Sequence, residues 1–115
     1  MYNYRNLEKE DCEFVDVVET DDLPTGERLF IEIDDLSIVL FNVGGEYYAI
    51  ADLCSHDDGP LGDGDLDGLE LACPRHGAHF DIKTGKALSL PAIVDIPAYP
   101  VRIMGETIQI GVPRD

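Results

Sequence analysis

Residues 73–81 read CPRHGAHFD, and residues 54–59, upstream of them, read CSHDDG. The later stretch sets Cys73, His76 and His79 close together and interrupts them with Pro74 and Gly77, residues that suit the interior of neither a helix nor a strand. It is therefore a loop. Cys54 and His56 form a C-x-H pair and Cys73 and His76 a C-x-x-H pair, with residues 57–72 between them. Each loop offers one thiolate and one imidazole, and Gly59, Pro60 and Gly77 allow sharp turns beside these side chains. Four nitrogen and sulfur donors from two loops are the signature of a metal site. The residue types alone leave open whether the metal is a structural zinc ion in Cys₂His₂ ligation or an iron centre.

Outward from these loops, turn signals divide the chain into short strand-like runs. Four precede the first loop, at 12–19, 28–33, 36–43 and 46–50; five more fall at 69–72, 80–82, 92–96, 99–104 and 107–112. Gly44-Gly45 and Gly105-Glu106 supply two tight hairpin turns. No helical stripe is long enough to compete. The pattern predicts an all-β fold, a small antiparallel sandwich or barrel, with ligand loops at about 52–62 and 72–81 forming a subdomain of their own. With 115 residues and a 44% hydrophobic content, the chain is expected to make one domain, 1–115, around one modest core.

The combination of C-x-H with C-P-R-H-G-A-H-F-D resembles the Rieske iron–sulfur family, specifically its soluble, low-potential ferredoxins. The likeness runs from the strands before Cys54 to the YPVRI run near the end. It implies one 2Fe–2S cluster per chain, with Cys54 and Cys73 on one iron and His56 and His76 on the other; His79 matches no ligand position. Replacing two thiolates by neutral imidazoles makes such a cluster less anionic, which places the family at roughly −150 to +300 mV, against about −400 mV for plant-type ferredoxins. High-potential members carry an extra disulfide between the ligand loops and hydroxyls that donate to the cluster sulfurs. At the matching places this chain has Gly59 and Arg75, then Ala78 and Phe80, while Asp57 and Asp58 add negative charge beside His56. The resemblance therefore implies a potential at the low end.

Composition narrows the partners. Asp and Glu number 24 against 8 Lys and Arg, a formal net charge of −16, which disfavours nucleic acid and anionic membranes and suits a protein partner with a basic docking face. Adaptation to a salty cytoplasm accounts for the same charge. The start, MYNYRNLEKEDCEF, shows neither a secretory signal nor an anchor, and no apolar run is long enough for a membrane span, so a soluble, cytoplasmic protein is expected. Cys12, Cys54 and Cys73 are odd in number, against a disulfide framework, and Cys12 is expected to be a buried strand residue. Asp63, Asp65, Asp67 and Gly68 imitate the start of a calcium loop, but its closing Glu position falls on Pro74, so a solvated connector is expected.

The function implied by the resemblance is one-electron transfer from a flavin-dependent reductase to the terminal oxygenase of an aromatic-ring-hydroxylating dioxygenase. No glycine-rich dinucleotide turn and no second His/carboxylate set for mononuclear iron is present, so the chain is expected to be no enzyme in its own right. Two alternatives stand beside it. One is a Rieske-like small subunit of a multi-subunit oxidoreductase such as assimilatory nitrite reductase, and the other is a structural zinc module.

Overall fold

The structure, a computed structural model, describes residues 12–53, 59–74, 77–90 and 95–113. Along them run β1 (Cys12–Glu19), a 3₁₀ turn (Thr20–Asp22), β2 (Arg28–Ile33), β3 (Leu36–Val43), β4 (Glu46–Ala51), β5 (Leu66–Asp67), β6 (Glu70–Ala72), β7 (His79–Asp81), β8 (Ala98–Tyr99), β9 (Val101–Met104) and β10 (Thr107–Pro113). Every strand pairing is antiparallel. The all-β antiparallel architecture expected from the turn spacing is the one observed.

The run Ile38-Val39-Leu40-Phe41 explains the centre of the molecule. Successive strand residues point to opposite faces, so an apolar run without polar alternation fits a strand covered on both sides. All four side chains are buried. Ile38 and Leu40 join Ile108, Ile110 and Val112 in one core, while Val39 and Phe41 join Leu61, Leu71, Cys73 and Phe80 in another. The sheet β2-β3-β4-β8 is thus a middle layer, with β1-β10-β9 against one face and β5-β6-β7 against the other. Each large aliphatic or aromatic side chain fully removed from water here contributes roughly 1.5–3 kcal/mol.

Turn chemistry sets the register. The Gly44-Gly45 hairpin is present, with φ of 63° and 91°, the two positive values that a tight turn between twisted strands demands. Asp34 and Asp35 make the equivalent turn between β2 and β3 at φ of 48° and 70°, a conformation that Asp tolerates better than most side chains. The turn at Gly105-Glu106 joins β9 to β10 as expected.

Two runs behave differently from expectation. The stretch 99–104 divides at Pro100, which has no N–H to give a ladder. Ala98 and Tyr99 pair with β4, Val101 onward pairs with β10, and the chain changes sheets at the proline, whose carbonyl accepts the Gly111 N–H at 2.8 Å. Of the run 92–96, residues 92–94 lie outside the described residues, and Asp95 and Ile96 are not in a strand. The Ile96 N–H goes to the Gly85 carbonyl at 2.8 Å, and Pro97 follows without an N–H, so no ladder forms. Among the described residues no helix is long and apolar enough to cross a membrane.

Candidate metal centre

Cys73 stands at the base of the β6–β7 hairpin. Leu71 pairs with Phe80 and Ala72 with His79, which leaves 73–78 as the connecting loop. The Cys73 N–H donates to the Ala78 carbonyl at 2.7 Å, and the Gly77 N–H donates to the Cys73 carbonyl at 3.0 Å. These bonds close the loop at its root. Cys73 is only 2% exposed, and Ala78 and Phe80 are fully covered, so its surroundings are apolar and supply no hydroxyl from those two positions. His79 points outward, half-exposed, with Nδ1 3.4 Å from Glu70 Oε1 across the hairpin. Ser89 Oγ accepts the His79 N–H at 3.0 Å, and the Leu88 N–H bonds back to its carbonyl at 2.8 Å, so a returning segment lines the outer edge of β7.

Of the four ligand candidates, the described residues hold Cys73 alone; Cys54, His56 and His76 lie outside them, as do Asp57, Asp58 and Arg75. The frame of the first loop is nevertheless described on both sides. Asp52 leaves the end of β4 with its N–H on the Ser37 carbonyl at 2.9 Å. Its Oδ1 accepts the N–H groups of Leu61 at 2.8 Å and Gly62 at 2.6 Å, tying the two ends of the loop together. Leu61 is fully buried and shares its core with Cys73, so both loops root in one apolar cluster. A thiolate on a rigid, apolar hairpin root is a suitable iron ligand, and the donor set of two thiolates and two imidazoles fits an iron–sulfur group.

The segment between the loops is held just as closely. Arg28, the first residue of β2, donates from Nη1 to the carbonyls of Gly62 at 2.5 Å and Gly64 at 2.8 Å. Gly64 lies so near β6 that a side-chain carbon there would stand 1.7 Å from the Ala72 carbonyl oxygen. Asp63, Asp65 and Asp67 are exposed around this segment, as expected of a solvated connector. Sequence reading missed Asp52 and Arg28. Asp52 carries a weak signal, since Asp at a loop entrance commonly accepts nearby backbone N–H groups. Arg28 carries none, because its partners lie more than thirty residues away.

Comparison with known proteins follows the same lines. Residues 13–100 match the family described as the Rieske [2Fe-2S] domain. The 3-phenylpropionate/cinnamic acid dioxygenase ferredoxin subunit of Shigella boydii serotype 4 (strain Sb227) is 48% identical over 94 residues, covering 81% of this chain and 88% of that protein. Among solved structures, the ferredoxin of carbazole 1,9a-dioxygenase from Nocardioides aromaticivorans IC177 is similar with a TM-score of 0.81 at 32% identity, covering 88% of this chain and 98% of that one. A chain from the complex of reduced oxygenase and oxidized ferredoxin in carbazole 1,9a-dioxygenase follows at a TM-score of 0.80 and 25% identity, covering 89% and 95%.

Proposed function

We propose, because the chain belongs to the Rieske [2Fe-2S] domain family, that it is the ferredoxin component of a multicomponent oxygenase system, in which Cys54, Cys73, His56 and His76 hold its cluster. It carries one 2Fe–2S cluster and is an electron carrier rather than a catalytic subunit. When bound, the cluster takes up one electron and gives it back. Cys54 and Cys73 would hold one iron and His56 and His76 the other, within a single domain whose ligand loops span about 52–62 and 72–81. The observation that carries this reading is the buried Cys73 at a tightly closed hairpin root, sharing one core with the other loop's Leu61. The zinc alternative has no support from a family defined by an iron–sulfur group.

The partners we propose are a flavin-dependent reductase and a terminal oxygenase, in keeping with similarity to ferredoxins of the 3-phenylpropionate/cinnamic acid and carbazole systems. Exposed Asp63, Asp65, Asp67 and Glu70 around the segment between the loops suit basic docking faces on both. Raising ionic strength from about 0.01 to 1 M shrinks the screening length from about 30 to 3 Å. Electron transfer to the oxygenase is therefore expected to slow by about tenfold or more over that range in stopped-flow kinetics. A rate indifferent to salt would remove electrostatic docking and leave the charge to solvation. We place the chain in the cytoplasm, whose reducing conditions keep its three cysteines out of disulfides.

A redox titration followed by visible absorption, with electron paramagnetic resonance of the reduced form, tests the reading as a whole. The expected result is a reversible one-electron midpoint near the low end of the family, about −150 mV. Apolar, fully buried Ala78 and Phe80 offer no hydroxyl to stabilise added charge, which is the basis for the low value. A midpoint near about +300 mV would contradict that basis. Zinc in place of redox-active iron would overturn the function.

A further inference from the structure

We propose that Arg28 and Asp52 are positioning residues that hold the two ligand loops at a set separation and thereby control how firmly the cluster is retained. The inference rests on the ligand assignment above and deepens it. Asp52 precedes Cys54 by two residues, and its Oδ1 accepts the Leu61 and Gly62 N–H groups from the other end of the first loop. Arg28 grips the same segment from its carbonyl side, with Nη1 on Gly62 and Gly64. Gly62 thus has its N–H on a carboxylate and its carbonyl on a guanidinium. Hydrogen bonds to charged groups are shorter and stronger than neutral ones, so the peptide is fixed on both sides.

The Arg28 anchor is itself packed against the middle sheet. The Arg28 guanidinium lies 5.0 Å from the centroid of the Phe41 ring, and Phe41 is buried in the middle sheet. A side-chain carbon on Gly62 would stand 2.5 Å from Cε1 of the half-exposed Phe30 ring, so the segment lies against a side chain of β2. From there contact passes to the second loop. Gly64 abuts the Ala72 carbonyl, the Ala72 N–H donates to Asp65 at 2.9 Å, and Ala72 adjoins Cys73. Asp52, two residues before Cys54 in the sequence, is thereby linked to Cys73 through Gly62, Gly64 and Ala72. The Arg28 and Asp52 side chains fasten this link to the middle sheet. Groups that orient metal ligands from behind commonly change metal retention by 10–100-fold when removed.

The experiment compares the cluster-loaded wild-type protein with Arg28→Met, Asp52→Ala and Arg28→Lys. Arg28→Met keeps the apolar stem and removes the donors; Arg28→Lys keeps a charge and donors and serves as the rescue. Cluster release to an iron chelator is expected to speed up about tenfold or more in Arg28→Met and Asp52→Ala, and to return toward the wild-type rate in Arg28→Lys. Amide hydrogen exchange supplies a reading that does not depend on the cluster. Leu61 and Gly62 are expected to lose protection while Val39 and Leu40 in β3 keep theirs. The reduced variants' paramagnetic resonance is expected to broaden as the loops sample more than one separation. Release within about twofold of wild type, or a loss of protection spread equally over β3 and β4, would overturn the positioning role. A wild-type protein that holds no cluster would instead remove the ligand assignment itself, with the exchange data still deciding whether Arg28 and Asp52 clamp the segment.

Discussion

Cys73→Ser is expected to give a protein without the visible colour of an iron–sulfur centre, with iron and acid-labile sulfide at or below about a tenth of the wild-type content. Two effects act together. A serine hydroxyl remains protonated near neutral pH, whereas the thiolate is the ligand form of cysteine, so the donor is lost. The position is also 2% exposed among Ala78, Phe80 and Leu71, and an unpaired hydroxyl there costs about 1–3 kcal/mol. Because binding energy of the metal group is also folding energy, the loop region is expected to lose order along with the colour. Cys12 provides the control. It is as deeply buried, at 1%, but lies in β1, in the sheet that covers the opposite face of the middle layer. Cys12→Ala should cost stability and keep the full spectrum. Full colour in Cys73→Ser would falsify the assignment of Cys73 as a ligand.

Gly64→Ala is expected to lower stability by about 3 kcal/mol or more, because a single methyl must displace backbone rather than a flexible side chain. The added carbon would meet the Ala72 carbonyl oxygen at 1.7 Å and the Ala72 carbonyl carbon at 2.9 Å. Relief requires β6 to move away from the connector, and Cys73 is the next residue along. The expected observation is a fall in melting temperature of roughly 4 °C per kcal/mol, about 12 °C or more in all, with accelerated bleaching of the visible bands on heating. Gly44→Ala is the comparison. Gly44 has a positive φ of 63° but open space around it, so the same methyl costs only the backbone preference, about 1 kcal/mol. Equal melting temperatures for the two variants would show that β6 yields easily at Ala72.

These expectations also mark what could be read from the chain before its structure. The bounds of β1, β2 and β3 coincide with the runs recognised in the sequence, since each is framed by turn residues and carries a local apolar pattern. The unbroken Ile38–Phe41 run becomes intelligible only when both of its faces are seen to be covered. Pro100 shows a limit of another kind. Apolar character continues across it, and only the positions of β4 and β10 reveal that the chain changes sheets there. Cys73 was singled out by its spacing to His76, and its apolar burial at a hairpin root suits that role, while Cys54, His56 and His76 lie outside the described residues. Arg28 was invisible because a side chain that bonds to the backbone of a remote loop leaves no periodic trace, and Asp52 gave only the weak signal of an Asp at a loop entrance. Ligand candidates are chosen by residue type and can be read; the groups proposed to position them are found only through geometry.

The pairing of β1 with β10 also bears on the order in which the molecule assembles. Cys12 lies opposite Pro113 and Glu19 opposite Thr107, so this ladder joins segments nearly the whole described length apart, whereas β2, β3 and β4 are linked by two-residue turns. Ladders between distant segments bear the larger loop-closure cost and form slowly. During synthesis β1 emerges well before its partner and must wait unpaired. Glu13, Asp16 and Glu19 punctuate its apolar residues, and the register shift between Asp16 and Val18 kinks it, both features that discourage a waiting strand from joining another chain. The β6–β7 hairpin and its Cys73 root are built from near neighbours and need no such delay. The hairpin that carries Cys73 is therefore expected to form early, with closure of the β1–β10 ladder on the opposite side of the molecule as the slow step.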